Sequence, residues 1–361
     1  MKILTVIGTR PEAIKMCPLI LELQKRENVQ TKVCATGQHR ELFDKVMKLF
    51  GISPAYNFSL MNQVHTQEEL VVGILSRLPR VLEQEKPHFL LVHGDTTTAF
   101  AAALCGFWQK IPVVHIEAGL RTYRQTPFPE EFNRRVISFI ASLHFAPTET
   151  ARENLLRENI NPQTVYVTGN TGLDALKYTI KQDWISPFSS FTANKKTILI
   201  TAHRRESHEK LEEMMSAIAN VIKEKQELAV LIPAHPNPLV QNAIKKVFLD
   251  IENVKIIPPL DVLDFHNLLS RCFCVLTDSG GIQEEATALC IPTLVLREET
   301  ERPEGVSSGT LLPVGCSYHT IQQGLLRLLH DKELYKMMKN AKNPYGDGNA
   351  SVRIANILST M

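Results

Sequence analysis

The sequence predicts an α/β protein made of two doubly wound domains, each a parallel sheet covered by helices. Three observations lead there. Strand-length apolar runs alternate with helical periodicity from one end of the 361 residues to the other. The runs are apolar on both faces, as strands are when helices cover both sides of a parallel sheet. The alternation weakens once, between about Asn170 and Lys196, where Trp184, Pro187, two serines and Asn194 interrupt it. That stretch is the expected crossing between a domain over 1–170 and one over 171–349, and the length suits about two domains.

In order, the expected strands are Ile3–Ile7, Thr31–Ala35, Phe89–His93, Val113–Glu117, Leu143–Ala146 and Val165–Val167. The second domain continues with Thr197–Thr201, Val230–Pro233, Val254–Ile257, Phe273–Thr277 and Thr293–Leu296. Helices are expected at Ala13–Lys25, Gln67–Glu85, Leu211–Lys223 and Leu239–Leu249. Open sheets of this kind bind ligands at the carboxyl ends of their strands, so functional residues should follow strands directly, in domains facing each other across a cleft.

The first strand runs into Gly8-Thr9-Arg10-Pro11-Glu12-Ala13-Ile14-Lys15. Gly8 suits a tight turn and Pro11 the first turn of a helix. Arg10 and Lys15 then supply two cations for a diphosphate or a leaving group, with a solvated helix start as the plainer alternative. Later strands end in His93-Gly94-Asp95-Thr96 and His115-Ile116-Glu117-Ala118-Gly119. Asp95 also fits as a helix N-cap. Glu117 has no such structural excuse, because a carboxylate at the end of an apolar strand costs desolvation free energy unless paired or working. Glu130-Glu131 follow Pro129, where favourable first-turn charge is the alternative to a role in proton transfer.

In the second half, His203 with Arg204 and Arg205 ends a strand, and Asp278-Ser279-Gly280-Gly281 leads from a strand into a helix carrying Glu284 and Glu285. Two glycines in a first helical turn let an anion approach backbone N–H groups that no helical carbonyl uses, and the helix dipole favours the negative charge. A carboxylate one turn further in is placed for a ribose hydroxyl. The segment reads as a nucleotide site.

Composition narrows the class. Forty basic against 38 acidic side chains give no strongly basic face and argue against a nucleic-acid partner. Seven cysteines without a Cys-x-x-Cys pair read as reduced thiols of a cytoplasmic protein. The opening run to Ile7 reads as a strand, not a signal peptide, and no apolar stretch approaches the roughly 20 residues of a membrane span. The sequence has no His-Glu-x-x-His, Gly-x-Ser-x-Gly, Walker lysine loop or Gly-x-Gly-x-x-Gly after the first strand, so no metal and no cofactor is expected.

Taken in order, these segments resemble the non-hydrolysing UDP-N-acetylglucosamine 2-epimerases of bacteria. Gly8–Met16, Gln38–Glu41, His93–Thr98, His115–Thr122, Pro129–Arg134, Thr148–Thr150, Gly169–Thr171, His203–Ser207, Asp278–Glu285, Glu301–Glu304 and Asn343–Gly346 carry the likeness over essentially the whole chain. The resemblance implies two Rossmann-like domains in a glycosyltransferase-B arrangement, with the active site between the domains. The C-terminal helix near Ala350–Ser359 would pack back on the first domain. It implies reversible C2 epimerisation of UDP-N-acetylglucosamine to UDP-N-acetylmannosamine in a homodimer that supplies a surface polysaccharide. It places uridine diphosphate contacts on Arg10, His203, Ser279, Gly280, Gly281 and Glu285, with Lys15 beside Arg10. The catalytic set becomes Asp95, Glu117, Glu130 and His203, and Gln38 and His39 match a regulatory substrate site of some relatives. Two departures stand out. The Thr122–Pro129 stretch is one residue shorter than in enterobacterial members, so the choice of Glu130 over Glu131 depends on aligning Pro129. His208-Glu209-Lys210 replaces a glycine-containing loop.

The chemistry favours the same direction. The C2 hydrogen of an N-acetylhexosamine is not next to a carbonyl, so epimerisation needs either transient oxidation or elimination of UDP to a glycal. Elimination needs carboxylates and cations but no nicotinamide. A hydrolysing relative, a UDP-sugar-dependent glycosyltransferase and a non-catalytic sugar-nucleotide sensor remain the alternatives.

Overall fold

A computed structural model describes the chain from Met1 to Met361 except residues 38–39, 61–65, 203–208, 236 and 301. The chain forms two compact units. The first comprises Met1–Tyr178 and Gly346–Met361, and the second Thr179–Tyr345.

The first unit holds strands β1 (Lys2–Ile7), β2 (Gln30–Ala35), β3 (Tyr56–Asn57), β4 (Phe89–His93), β5 (Val113–Ile116), β6 (Leu143–Ala146) and β7 (Val165–Val167). They pair in parallel as one seven-stranded sheet in the order β3-β2-β1-β4-β5-β6-β7. The second unit holds β8 (Lys196–Thr201), β9 (Leu228–Pro233), β10 (Val254–Ile257), β11 (Cys274–Thr277), β12 (Thr293–Val295) and β13 (Leu311–Pro313). These also pair in parallel, in the order β10-β9-β8-β11-β12-β13. The expected α/β architecture of two helix-covered parallel sheets is therefore present. The short edge strands β3 and β13 are additions to the expected set.

Each sheet reverses its winding once, between β1 and β4 in the first unit and between β8 and β11 in the second. At such a reversal the connections leave the two strands in opposite directions and open a crevice at their carboxyl ends. Packing holds these strands still. In the first unit, Leu70, Ile74, Leu78 and Leu82 of the helix Gln67–Glu85 pack with Leu90, Val92 and the alanines of the helix Thr97–Trp108. In the second, Met214, Ile218 and Ile222 cover Ile198, Ile200, Val230 and Leu276. Burying each such large apolar side chain contributes about 1.5–3 kcal/mol.

The helix Arg10–Gln24 starts earlier than its apolar periodicity, because Thr9 caps it and Glu12 completes a capping box. The helix Thr171–Thr179 belongs with the first unit. Its Asp174 carboxylate accepts the Ala350 and Ser351 N–H groups at 3.2 and 2.8 Å, anchoring the first turn of the helix Ala350–Ser359. That last helix packs on Arg10–Gln24. Among the described residues, no helix is long and apolar enough to cross a membrane.

Candidate functional site

Around the β1/β4 reversal, backbone and side chains lock together through Glu12. Its Oε2 accepts the Gly8 and Thr9 N–H groups at 3.0 and 2.6 Å, and its Oε1 accepts the Thr96 hydroxyl at 2.7 Å. The loops that follow β1 and β4 are thus tied to one buried carboxylate, whose pKa burial raises against the opposing pull of these hydrogen bonds. Gly8 is required by contact: a Cβ there would lie 2.1 Å from the Thr98 Oγ1. Arg10 occupies the first position of the helix beyond this turn.

Glu117 stands just past β5 with a left-handed backbone, φ 63°. A non-glycine residue in that region costs on the order of 1–2 kcal/mol, which the surroundings must offset. Its side chain is 9% exposed and pairs through Oε1 with the Lys15 ammonium, while Asn170 Nδ2 donates to the same oxygen at 3.3 Å. Lys15, expected beside Arg10 at a diphosphate, therefore meets a carboxylate of its own unit. On the other side, His93 Nε2 lies 3.9 Å from Glu117 Oε2. His93 is buried, and that burial lowers its pKa to about 4, with Lys15 adding to the effect and Glu117 opposing it. The ring is uncharged at neutral pH.

Asp95 follows β4 without capping a helix. The N-cap is Thr96, whose hydroxyl accepts the Ala99 N–H at 3.0 Å. This corrects the capping alternative for Asp95 and leaves its carboxylate to Arg134, at 2.6 Å. Asn133 Nδ2 donates to the Asp95 carbonyl at 2.9 Å, so the helix Glu130–Ile140 is tied to the end of β4.

The same helix separates the two adjacent glutamates. Glu131 is 3% exposed; its carboxylate accepts the Thr122 and Tyr123 N–H groups at 3.0 and 3.1 Å and lies 3.5 Å from Arg134. Those bonds hold the preceding loop. Glu130 is different, since its buried Oε2 has no hydrogen-bond partner among the described residues. Asp95, Glu117 and Glu130 thus stand at the ends of β4 and β5 and on the helix bound to β4, while Glu131 serves the loop.

In the second unit, β11 leads through Asp278 and Ser279 into the helix Gly280–Ala288. Ser279 is the N-cap residue, yet its side chain makes no capping bond. Its N–H donates to the Thr277 hydroxyl at 3.0 Å, which in turn meets Thr201 Oγ1 at 2.7 Å. A Cβ on Gly281 would touch nothing within 4 Å, and one on Gly280 would sit 3.4 Å from the Arg302 guanidinium. Neither glycine is demanded by crowding, which fits a first turn kept clear for an anion. Arg302 is buried and ion-paired with Glu284 through Nε. Glu285 Oε2 lies 3.5 Å from His266 Nε2, and the His266 Nδ1 lies 2.7 Å from the Thr179 hydroxyl.

The sequence-predicted residues Gln38, His39 and His203 lie outside the described residues. Lys15, Glu117, Asp95 and Glu130 are brought into the corner formed by β4, β5 and their helices, and Ser279, Gly280, Gly281 and Glu285 share one turn and helix. Glu12, His93, Arg134 and Arg302 were not singled out from sequence. Only Glu12 carried a local signal, its capping-box spacing from Thr9.

Comparison with known proteins adds a second line. A family model described as UDP-N-acetylglucosamine 2-epimerase matches residues 21–359. The UDP-N-acetylglucosamine 2-epimerase of Bacillus subtilis is 47% identical over 98% of this chain and 94% of its own. That of Neisseria meningitidis serogroup A is 48% identical over 99% of each. A crystal structure of the enzyme from Neisseria meningitidis bound to UDP-GlcNAc superposes with a TM-score of 0.95, 47% identity and full coverage of both chains. A Methanocaldococcus jannaschii structure with UDP-GlcNAc and UDP gives 0.87 at 34% identity, again covering 100% of each chain.

Proposed function

The chain belongs to the UDP-N-acetylglucosamine 2-epimerase family, a family of isomerases, and on that premise we propose that it interconverts UDP-N-acetylglucosamine and UDP-N-acetylmannosamine. The observation that carries this reading is the division of labour among the carboxylates of the first unit. Glu117 is held by Lys15, Asp95 by Arg134, and Glu130 keeps a buried oxygen without a hydrogen-bond partner among the described residues, while its neighbour Glu131 is committed to backbone.

In the proposed reaction, one carboxylate removes the C2 proton as the bond from C1 to the diphosphate oxygen breaks. The C–H electron pair forms the C1–C2 double bond of a glycal, and UDP leaves with the C1–O pair. UDP then adds back to C1 while a carboxylic acid delivers a proton to the opposite face of C2. Asp95, Glu117 and Glu130 share these transfers, and general acid–base groups of this kind contribute about 10²- to 10⁴-fold each. Arg10, His203 and the Ser279–Gly281 turn stabilise the diphosphate as charge develops on it, and Glu285 takes the ribose.

Incubation with UDP-N-acetylglucosamine alone, followed by NMR of the products, tests the assignment. The expected outcome is a reversible mixture of two UDP-sugars. Free N-acetylmannosamine with UDP would mark a hydrolase, and no conversion without an acceptor would point to a glycosyltransferase.

A homodimer and a cytoplasmic location complete the proposal. Exposed Phe107, Trp108, Phe132 and Phe139 on the neighbouring helices Thr97–Trp108 and Glu130–Ile140 support the first, and seven free cysteines the second. Light scattering at the mass of one chain, or fractionation outside the cytoplasm, would remove the corresponding part.

A further inference from the structure

His93 is the last residue of β4, and its ring lies beside the Glu117 carboxylate. The ring is 3% exposed, and Nε2 finds no hydrogen-bond partner among the described residues. A buried polar atom left in that state costs about 1–3 kcal/mol, which a plain core position would shed by carrying an apolar side chain. The nitrogen faces Glu117 Oε2 at 3.9 Å, beyond hydrogen-bond length but within reach of a small rotation of the glutamate. The opposite oxygen, Oε1, is the one engaged by Lys15 and Asn170.

We propose that His93 is a positioning residue for Glu117: its Nε2–H takes Oε2 when the sugar nucleotide is bound, so that Lys15 and His93 grip opposite oxygens. Holding both oxygens prevents the carboxylate plane from turning while Glu117 takes the sugar proton. Orientation is where the effect lies, since a misplacement of about 1 Å at a reacting group costs about 100-fold in rate. An uncharged ring suits the task. It donates a hydrogen bond without placing a second full positive charge beside Lys15, and it does not compete with Glu117 for the proton being moved. The inference rests on the assignment of Glu117 to proton transfer.

Paired substitutions test it. An amide at Gln reaches near the Nε2 position of a histidine, whereas Asn places it near Nδ1. His93→Gln is therefore expected to keep kcat within about threefold of the parent. His93→Asn and His93→Leu are expected to lose about 10- to 100-fold in kcat, with KM for UDP-N-acetylglucosamine and the melting temperature little changed. Equal kcat for the Gln and Asn variants overturns the proposal, as does a loss in all three that tracks melting temperature. Should His93→Leu fail to fold, the Gln and Asn pair still decides. Glu117→Gln measured alongside separates the two levels: turnover near normal in that variant removes the underlying assignment, whatever His93 does.

Discussion

Glu130 and Glu131 are chemically identical neighbours whose surroundings give them different work. The Glu131 carboxylate accepts two backbone N–H groups and faces Arg134. Hydrogen bonds to a charged group are worth about 1.5–3 kcal/mol each, so Glu131→Gln should lower stability by roughly 1–3 kcal/mol, read as a lower melting temperature. Glu130 has a buried oxygen without a hydrogen-bond partner among the described residues, so Glu130→Gln should leave stability within about 0.5 kcal/mol or raise it while cutting kcat by at least about 100-fold. Calorimetry and steady-state kinetics on both variants check the pair, and the reverse pattern would transfer the third carboxylate to Glu131. The sequence offered proton transfer or first-turn charge for both residues, and only the resemblance, through Pro129, chose Glu130; the partners that separate them were not legible. The partners of Glu131 are backbone groups eight and nine residues earlier, across a loop that no periodicity describes. Lys15 was legible as a cation after a strand but not as the partner of Glu117, which lies 102 residues away.

At the scale of the element, the Asp278–Glu285 turn and helix are where local sequence says most. A strand, a cap position and two glycines predict an anion-binding helix start from physics that operates within one turn. The structure adds that Ser279 makes no side-chain cap and that Gly281 has open space where a Cβ would be. A helix glycine with that freedom normally destabilises by about 0.5–1 kcal/mol relative to alanine. Gly281→Ala should therefore hold or raise the melting temperature and, by placing a methyl group over the N–H groups, weaken UDP binding by about tenfold or more, about 1.4 kcal/mol. Titration calorimetry with UDP checks it, and unchanged affinity would mean that the open turn is not the diphosphate site. The strands were legible for a similar reason: runs buried on both faces declare themselves. The two-residue edge strand Tyr56–Asn57 does not, since tertiary pairing alone defines it.

Across the whole molecule, the sequence is close to the 2-epimerases over essentially its full length, and the same two α/β units recur in their solved structures. The proposed chemistry draws on both units, with proton transfer assigned to the first and retention of UDP to the second. In that proposal the turn at Ser279–Gly281 has two tasks: it binds the substrate, and it keeps UDP after the bond to the sugar has broken, which separates epimerisation from hydrolysis. Formation of a glycal demands that the C2 hydrogen leave the sugar and that its replacement come from a group in exchange with solvent. The most direct measurement is turnover of UDP-N-acetylglucosamine in deuterium oxide, with NMR at C2 of both UDP-sugars. Elimination and re-addition predicts deuterium at C2 of the product and, as the reaction approaches equilibrium, of the recovered substrate; product formed with its original C2 hydrogen retained would contradict it.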